Sequence, residues 1–239
     1  MPEALKLAII VKRSKMREFR VYIGFLIGVL LAGCGSETKI SRYEHTVYTI
    51  NDSTITPDQR INEIIAPYKA GLDSVMGEVL NYAERNLYKG QPESPLGNLM
   101  ADLCYTKGNE YYKPDDGVYA HLCVLNNGGI RSTITEGEIT LGRVYELMPF
   151  ENELVLLTIS GANTWALFNY MNESGGVPLA NASFMIKQEG PENVMIGGSA
   201  IDTTTTYKVI TSDYLANGGD KMWFFSDPIK YEPVGLKVR

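Results

Sequence analysis

Two short stretches hold residue types suited to recognition chemistry, and they share a pattern. Asn126-Asn127-Gly128-Gly129-Ile130-Arg131 follows an apolar, period-two run at 118–124, which reads as a strand. Ser212-Asp213-Tyr214-Leu215-Ala216-Asn217-Gly218-Gly219-Asp220 follows the β-rich run at 207–211. Each stretch pairs an Asn-Gly-Gly turn with one charged hydrogen-bonding side chain, Arg131 or Asp220. The glycines let backbone lie close to a ligand. Arg131 offers five fixed donors, suited to a carboxylate, a phosphate or an aromatic face. Two rings, Phe150 and Tyr214, lie in loops beside these strand exits. A flat ligand suits such a set. The rings would stack on its faces, at roughly 1–3 kcal/mol per base. The amides of Asn126, Gly128, Gly129, Asn217 and Gly218, with Arg131 and Asp220, would take its edges and hydroxyls. Taken singly, each feature has a plainer reading. Asn-Gly pairs make hairpin turns, an Arg after one is often only solvated, and Phe150 suits a core equally well.

The elements that must position these residues follow from periodicity and punctuation. Pro57-Asp58 opens a helix whose Ile61, Ile64, Ile65, Tyr68, Leu72 and Val75 form one apolar face, and Pro67 predicts a kink or restart within it. A short strand is expected at 78–82. Ser94 is a good N-cap and Pro95 suits the first helical position, with Leu96, Leu99, Met100 and Leu103 as the buried stripe. After the first Asn-Gly-Gly turn, residues 136–140 read as a turn into an edge and 141–146 as a short helix. Pro149 makes 147–152 a loop that presents Phe150 from a stiff backbone. Residues 153–159 alternate as a strand, and Ser160-Gly161 starts a helix carrying Trp165, Leu167, Phe168 and Met171. A Gly-rich loop at 173–178, short strands at 184–186 and 195–201 and a turn at 203–206 complete the chain. Interleaved strands and helices predict an α/β or α+β fold with mixed sheets.

The chain has 239 residues, 44% of them apolar, enough for one well-buried domain or two small ones. Its formal net charge is −6. Residues 1–33 hold six bases and two acids of the 22 and 28 in the whole chain, which leaves 16 and 26, a net of −10. With no basic stripe to offset it, such a surface repels nucleic-acid backbones, and no nucleic-acid partner is expected.

The N-terminus reads as an address. Arg17 and Arg20 precede an uncharged run at 21–32. That run is too short to span ~30 Å of hydrocarbon, which takes about 20 helical residues, and suits an export signal. It ends in Leu31-Ala32-Gly33-Cys34, which resembles the lipobox of bacterial lipoproteins. The expected organisation is therefore a signal peptide at 1–33, with Met16 as an alternative start, then a lipidated Cys34 with a polar tether over 34–57, then one domain over 58–239. An irregular first strand is expected at 45–50. The expected location is outside the cytoplasm, lipid-anchored to a bacterial membrane on its periplasmic or cell-surface face. Cys104 and Cys123 then remain, as a disulfide or, the reading adopted, as two buried free thiols.

Residues 93–102, 126–131, 148–152 and 213–220 together resemble the C-terminal, substrate-binding domain of the 5′-nucleotidase / UDP-sugar hydrolase family. The match is four motifs in order over about residues 66–225. The resemblance implies a four-layer α/β/β/α architecture that clamps a nucleoside between two aromatic rings. By position it makes Phe150 and Tyr214 the base-stacking pair, with Asn126 and Arg131 on the base or phosphate and Asp220 on the ribose hydroxyls. Tyr214 stands where relatives often have Phe. Lys89-Gly90-Gln91-Pro92 stands where the family usually carries an Arg that contacts phosphate. The family's hydrolytic chemistry resides in a separate dimetal domain rich in His, Asp and Asn, where bound metals generate the attacking hydroxide. This sequence has two histidines, His45 and His121, and no Asn-His pair or Gly-His-x-His. The chain itself is expected to bind no cofactor. Divalent metals (Mn, Zn, Mg or Ca) are expected only in a separate metallophosphatase chain. Two readings follow: the substrate-binding half of a split 5′-nucleotidase in nucleotide catabolism, or a non-catalytic surface lipoprotein that captures nucleosides or nucleotides. A degenerate structural domain is a weaker third.

Overall fold

The computed structural model describes residues 58–239, with Glu44 and Val47 as isolated positions ahead of them. The expectations for the signal, for Cys34 and its tether, and for a strand at 45–50 lie outside the described residues. Among the described residues, no helix is long and apolar enough to cross a membrane.

Asp58–Arg239 forms one compact unit of mixed α/β class, as expected. Its centre is a five-stranded sheet made of β2 (Leu122–Val124), β4 (Glu153–Ser160), β5 (Leu179–Ala180), β9 (Thr206–Ser212) and β10 (Lys230–Lys237). Across the sheet their order is β10-β4-β9-β2-β5. Neighbours are antiparallel except β2 and β9, which run parallel with Leu122 opposite Val209. Both faces of this sheet are covered. Leu154, Leu156, Cys123 and Ile210 point to one core, and Val155, Leu157, Ile159, Leu122, Val124 and Val209 to the other. This is the period-two alternation of a strand with each face buried. Burying each such aliphatic side chain stabilises the fold by ~1.5–3 kcal/mol.

Helix α2 (Pro95–Tyr111) packs on the first face and helix α4 (Gly161–Glu173) on the second. The two-stranded sheet of β1 (Val79–Ala83) and β3 (Gly137–Thr140) joins the α2 side, followed by the short helix α3 (Leu141–Leu147). The hairpin sheet of β6 (Ala182–Met185), β7 (Glu192–Ile196) and β8 (Ser199–Ala200) joins the α4 side. Helix starts follow the caps in the sequence. Ser94 accepts from the Gly97 amide at 3.1 Å, Ser160 from Asn163 at 3.1 Å, and Ser212 from Leu215 at 3.2 Å at the start of α5 (Asp213–Ala216).

Four local expectations are revised. Helix α1 (Gln59–Met76), capped by Asp58, continues through Pro67 without restarting, and none of its residues is buried. Its apolar face is solvent-exposed. The strand expected at 118–124 is confined to Leu122–Val124, because side chains take the earlier backbone donors. Asp116 accepts from the Val118 amide at 3.0 Å and Asn109 from Ala120 at 2.9 Å. Leu103 stays half out in solvent, since the seam of α2 runs instead through Leu96, Gly97, Met100, Ala101, Cys104 and Gly108. These smaller residues let the helix lie close to the sheet. The strand expected at 195–201 is two, parted by Gly197 and Gly198 at φ 57° and 80°. Cys104 and Cys123 are free and buried. Burial pushes the Cys104 thiol up to about 12 and holds Cys123 well above the usual thiol range.

Candidate functional site

The parallel pairing of β2 and β9 decides where the two Asn-Gly-Gly turns meet. Parallel neighbours end on the same side of a sheet, so both turns leave at one edge. Strand β4 runs antiparallel to β9, with Leu154 opposite Ser212, so the loop entering β4 reaches the same edge and brings Phe150 with it. Strand β10 pairs Lys237 with Glu153, and β5 pairs Leu179 with Val124. The last residues of the chain and the Gly-rich loop before β5 therefore arrive there too.

A continuous line of contacts crosses this edge. Asp220 accepts from Asn126 Nδ2 at 2.5 Å on Oδ2 and from the Tyr214 hydroxyl at 2.8 Å on Oδ1. The Tyr214 oxygen in turn accepts from the Asp220 amide at 3.2 Å. Donating to this carboxylate pushes the Tyr214 phenol above its usual value, so the ring keeps its proton. Five residues beyond Asn126, the Arg131 guanidinium lies 6.0 Å from the centre of the Phe150 ring and donates to the Gly128 carbonyl at 3.3 Å. Phe150 and Tyr214 are 43% and 44% exposed, open to a ligand.

The structure thus brings Asn126, Gly128, Gly129, Arg131, Phe150, Tyr214 and Asp220 to one surface. Gly129 is buried beneath the Asn126 amide, where a Cβ would sit 2.9 Å from Oδ1. Asn217 and Gly218 shape the second turn. The Asn217 amide donates back to the Asp213 carbonyl at 2.8 Å, and Gly218 adopts φ 83°. Gly219 has a sharper constraint, since a Cβ there would lie 2.5 Å from Tyr214 Cε1. The chain passes beneath the ring only because that atom is absent.

Further residues support the site, and of these Tyr170 had no local signal. The Tyr170 hydroxyl donates to the Asp220 carbonyl at 3.0 Å, from α4, and helps hold Asp220 in a left-handed conformation (φ 51°). Asn127 Nδ2 donates to the Gly176 carbonyl at 2.9 Å and joins the first turn to the Gly-rich loop. Lys89 donates to the Ile130 carbonyl at 2.9 Å and places a cation beside the first turn.

Metal ligands are another matter. Among the described residues, no group of three His, Cys, Asp or Glu side chains converges as a metal site requires, so the donor set here does not fit a dimetal centre. His121 stands just before β2, and its Nδ1 accepts from the Lys208 amide at 2.8 Å. Burial and the Lys208 charge lower its pKa below the ordinary histidine value.

A family model described as "5'-nucleotidase, C-terminal domain" matches residues 75–227. The trifunctional nucleotide phosphoesterase protein YfkN of Bacillus subtilis is 30% identical over 193 residues, 70% of this chain and 12% of that protein. Protein UshA of Escherichia coli is 32% identical over 187 residues, 74% of this chain and 32% of that protein. The chain therefore spans less than a third of the length of either relative. Among solved structures, a 5′-nucleotidase precursor from Thermus thermophilus superposes with a TM-score of 0.57 at 24% identity, over 74% of this chain and 38% of that one.

Proposed function

Because the chain belongs to the 5′-nucleotidase C-terminal domain family, we propose that the sheet edge bearing Phe150 and Tyr214 binds a nucleotide or nucleoside, as the substrate-binding half of a 5′-nucleotidase-type phosphohydrolase. The observation that carries this reading is the joined set of Asn126, Asp220 and Tyr214 beside Arg131 and Phe150. A base sits between the two exposed rings. Asp220, already oriented by Asn126 and Tyr214, accepts from the ribose hydroxyls. Arg131 faces the base edge or the phosphate, and the turns built by Asn126, Gly128, Gly129, Asn217 and Gly218 bring backbone close around them. Such a site binds and orients; its groups are not placed to generate a nucleophile. The catalytic metals (Mn, Zn, Mg or Ca) are supplied from a separate exported metallophosphatase chain, and the pair acts in nucleotide catabolism. Cys34 carries the lipid that anchors this chain to the outside of a bacterial membrane, as the lipobox motif supports.

Titration calorimetry with AMP, adenosine and UDP-glucose, with and without Mn²⁺, tests the binding reading. Metal-independent binding that Phe150→Ala and Tyr214→Ala each weaken by about 10- to 100-fold is expected, the range of one lost stacking contact. Tight binding indifferent to both substitutions would reject the clamp. Phosphatase assays with an exported metallophosphatase chain added then test the split enzyme. Nucleotide binding without hydrolysis in any such mixture would favour a capture lipoprotein instead.

A further inference from the structure

The loop that carries Phe150 is fixed ahead of the ring by its own neighbourhood. The Arg131 amide donates to the Leu147 carbonyl at 2.9 Å, the Met148 amide to Val144 at 2.9 Å, and Pro149 stiffens the next step. Beyond the ring, the restraint comes from residues 237–239. The Val238 amide donates to the Asn152 carbonyl at 2.9 Å. Lys237 and Arg239 each grip one carboxylate oxygen of Glu151. Arg239 also donates to the carbonyl of Phe150 itself at 3.3 Å, and its guanidinium lies 4.2 Å from the centre of the Tyr145 ring. Its side chain is only 11% exposed.

We propose that Arg239 is a positioning residue for the Phe150 ring, the means by which an exposed aromatic is held ready for a base. The proposal rests on the reading of Phe150 as a base-stacking residue. One planar guanidinium meets a backbone carbonyl, a carboxylate and an aromatic face together, a combination that a lysine ammonium cannot reproduce. By tying the peptide at Phe150 to the ring of Tyr145 on α3, Arg239 removes backbone freedom that the loop would otherwise lose on binding. Preorganisation of this kind raises affinity without adding a ligand contact. Exposed ion pairs contribute little to global stability, and Glu151 is 63% exposed, so the effect belongs to binding more than to folding.

The test is a double-mutant cycle on adenosine affinity, with Phe150→Ala and Arg239→Met singly and together, and thermal unfolding of each protein alongside. Arg239→Met is expected to weaken adenosine about tenfold in the wild-type background, within the range set by one stacking contact. In the Phe150→Ala background it should weaken binding no more than about twofold, because a residue acting through the ring has nothing left to act on. Equal losses in both backgrounds, or no loss in either, would overturn the proposal. Should Arg239→Met unfold, Arg239→Lys enters the same cycle with the same expectations. Failure of the clamp itself has a different signature: Phe150→Ala alone would then leave wild-type affinity intact.

Discussion

At the scale of single residues, Tyr214 has two roles, of which a phenylalanine could fill only one. Its ring stands open to stack, and its hydroxyl both donates to the Asp220 carboxylate and accepts from the Asp220 amide. The substitution Tyr214→Phe keeps the first role and removes the second. Losing both of the hydroxyl's bonds on an exposed surface costs on the order of 1 kcal/mol, so adenosine affinity should fall about fivefold in calorimetry. A ligand without ribose hydroxyls, such as free adenine, should bind Tyr214→Phe as it binds the wild type. An equal loss for adenine would place the effect in stacking instead. Phe150, Tyr214, Arg131 and Asp220 were legible in the sequence because each stands beside a turn or a proline that marks it. Tyr170 and Arg239 were not: the atoms they hold lie 50 and 89 positions away, and no local pattern encodes a contact of that span.

At the scale of elements, the junction of β2 and β9 holds a histidine that links stability to pH. The Lys208 amide donates to His121 Nδ1, while the Lys208 ammonium, 6% exposed, bonds both oxygens of Asp116 at 2.6 and 2.8 Å. His121 accepts only when neutral, and desolvation and the Lys208 charge lower its native pKa. The unfolded chain, with an ordinary value near 6.5, then takes up a proton before the folded chain does. Stability from this histidine is therefore present above about pH 6.5 and lost as pH falls below it. Asp116, held below the usual carboxylate range chiefly by its bond from Lys208, adds a loss that begins only as pH falls below about 4. Urea midpoints at pH 7.5 and 5.5 should separate for the wild type, and His121→Gln should narrow the gap. An unchanged gap would assign the slope to other groups. Caps at Ser94 and Ser160 made those helix starts readable, because capping is local, whereas Ser212 starts a short helix that carries Tyr214 where a loop was expected. The seam of α2 was readable in part: Leu96 and Met100 are buried and Leu99 packs against the core, while Leu103 faces out because the sheet selects the side of Ala101 and Cys104 instead.

At the scale of the whole molecule, the apolar stripe of α1 stands open to solvent. Ile61, Ile64, Ile65, Tyr68, Leu72 and Val75 are between 48% and 79% exposed. Periodicity reported that such a face exists, and only tertiary context could report that it lies open. Replacing Ile64 and Ile65 together by Ser should change the free energy of unfolding by less than about 1 kcal/mol, as at other exposed sites. Leu156→Ala, inside the central sheet at 2% exposure, should cost ~2–5 kcal/mol. Urea unfolding of the two variants compares them directly, and a large loss from the α1 pair would mean that the stripe contributes to folding. The mixed α/β class itself was legible, since caps, turns and alternation interleave along the whole described unit.

The parallel step between β2 and β9 also sets when the site can exist. Asn126 and Asp220 are bonded across 94 positions, and the strands that deliver them pair residues 122–123 with 209–210. Contacts of such long sequence separation form only after a large loop has closed, and are correspondingly slow. A growing polypeptide displays Arg131 and Phe150 well before residue 206 is made, yet with neither β9 to seat β2 nor Asp220 to meet Asn126. The surface that joins Asn126 to Asp220 therefore belongs to the finished fold.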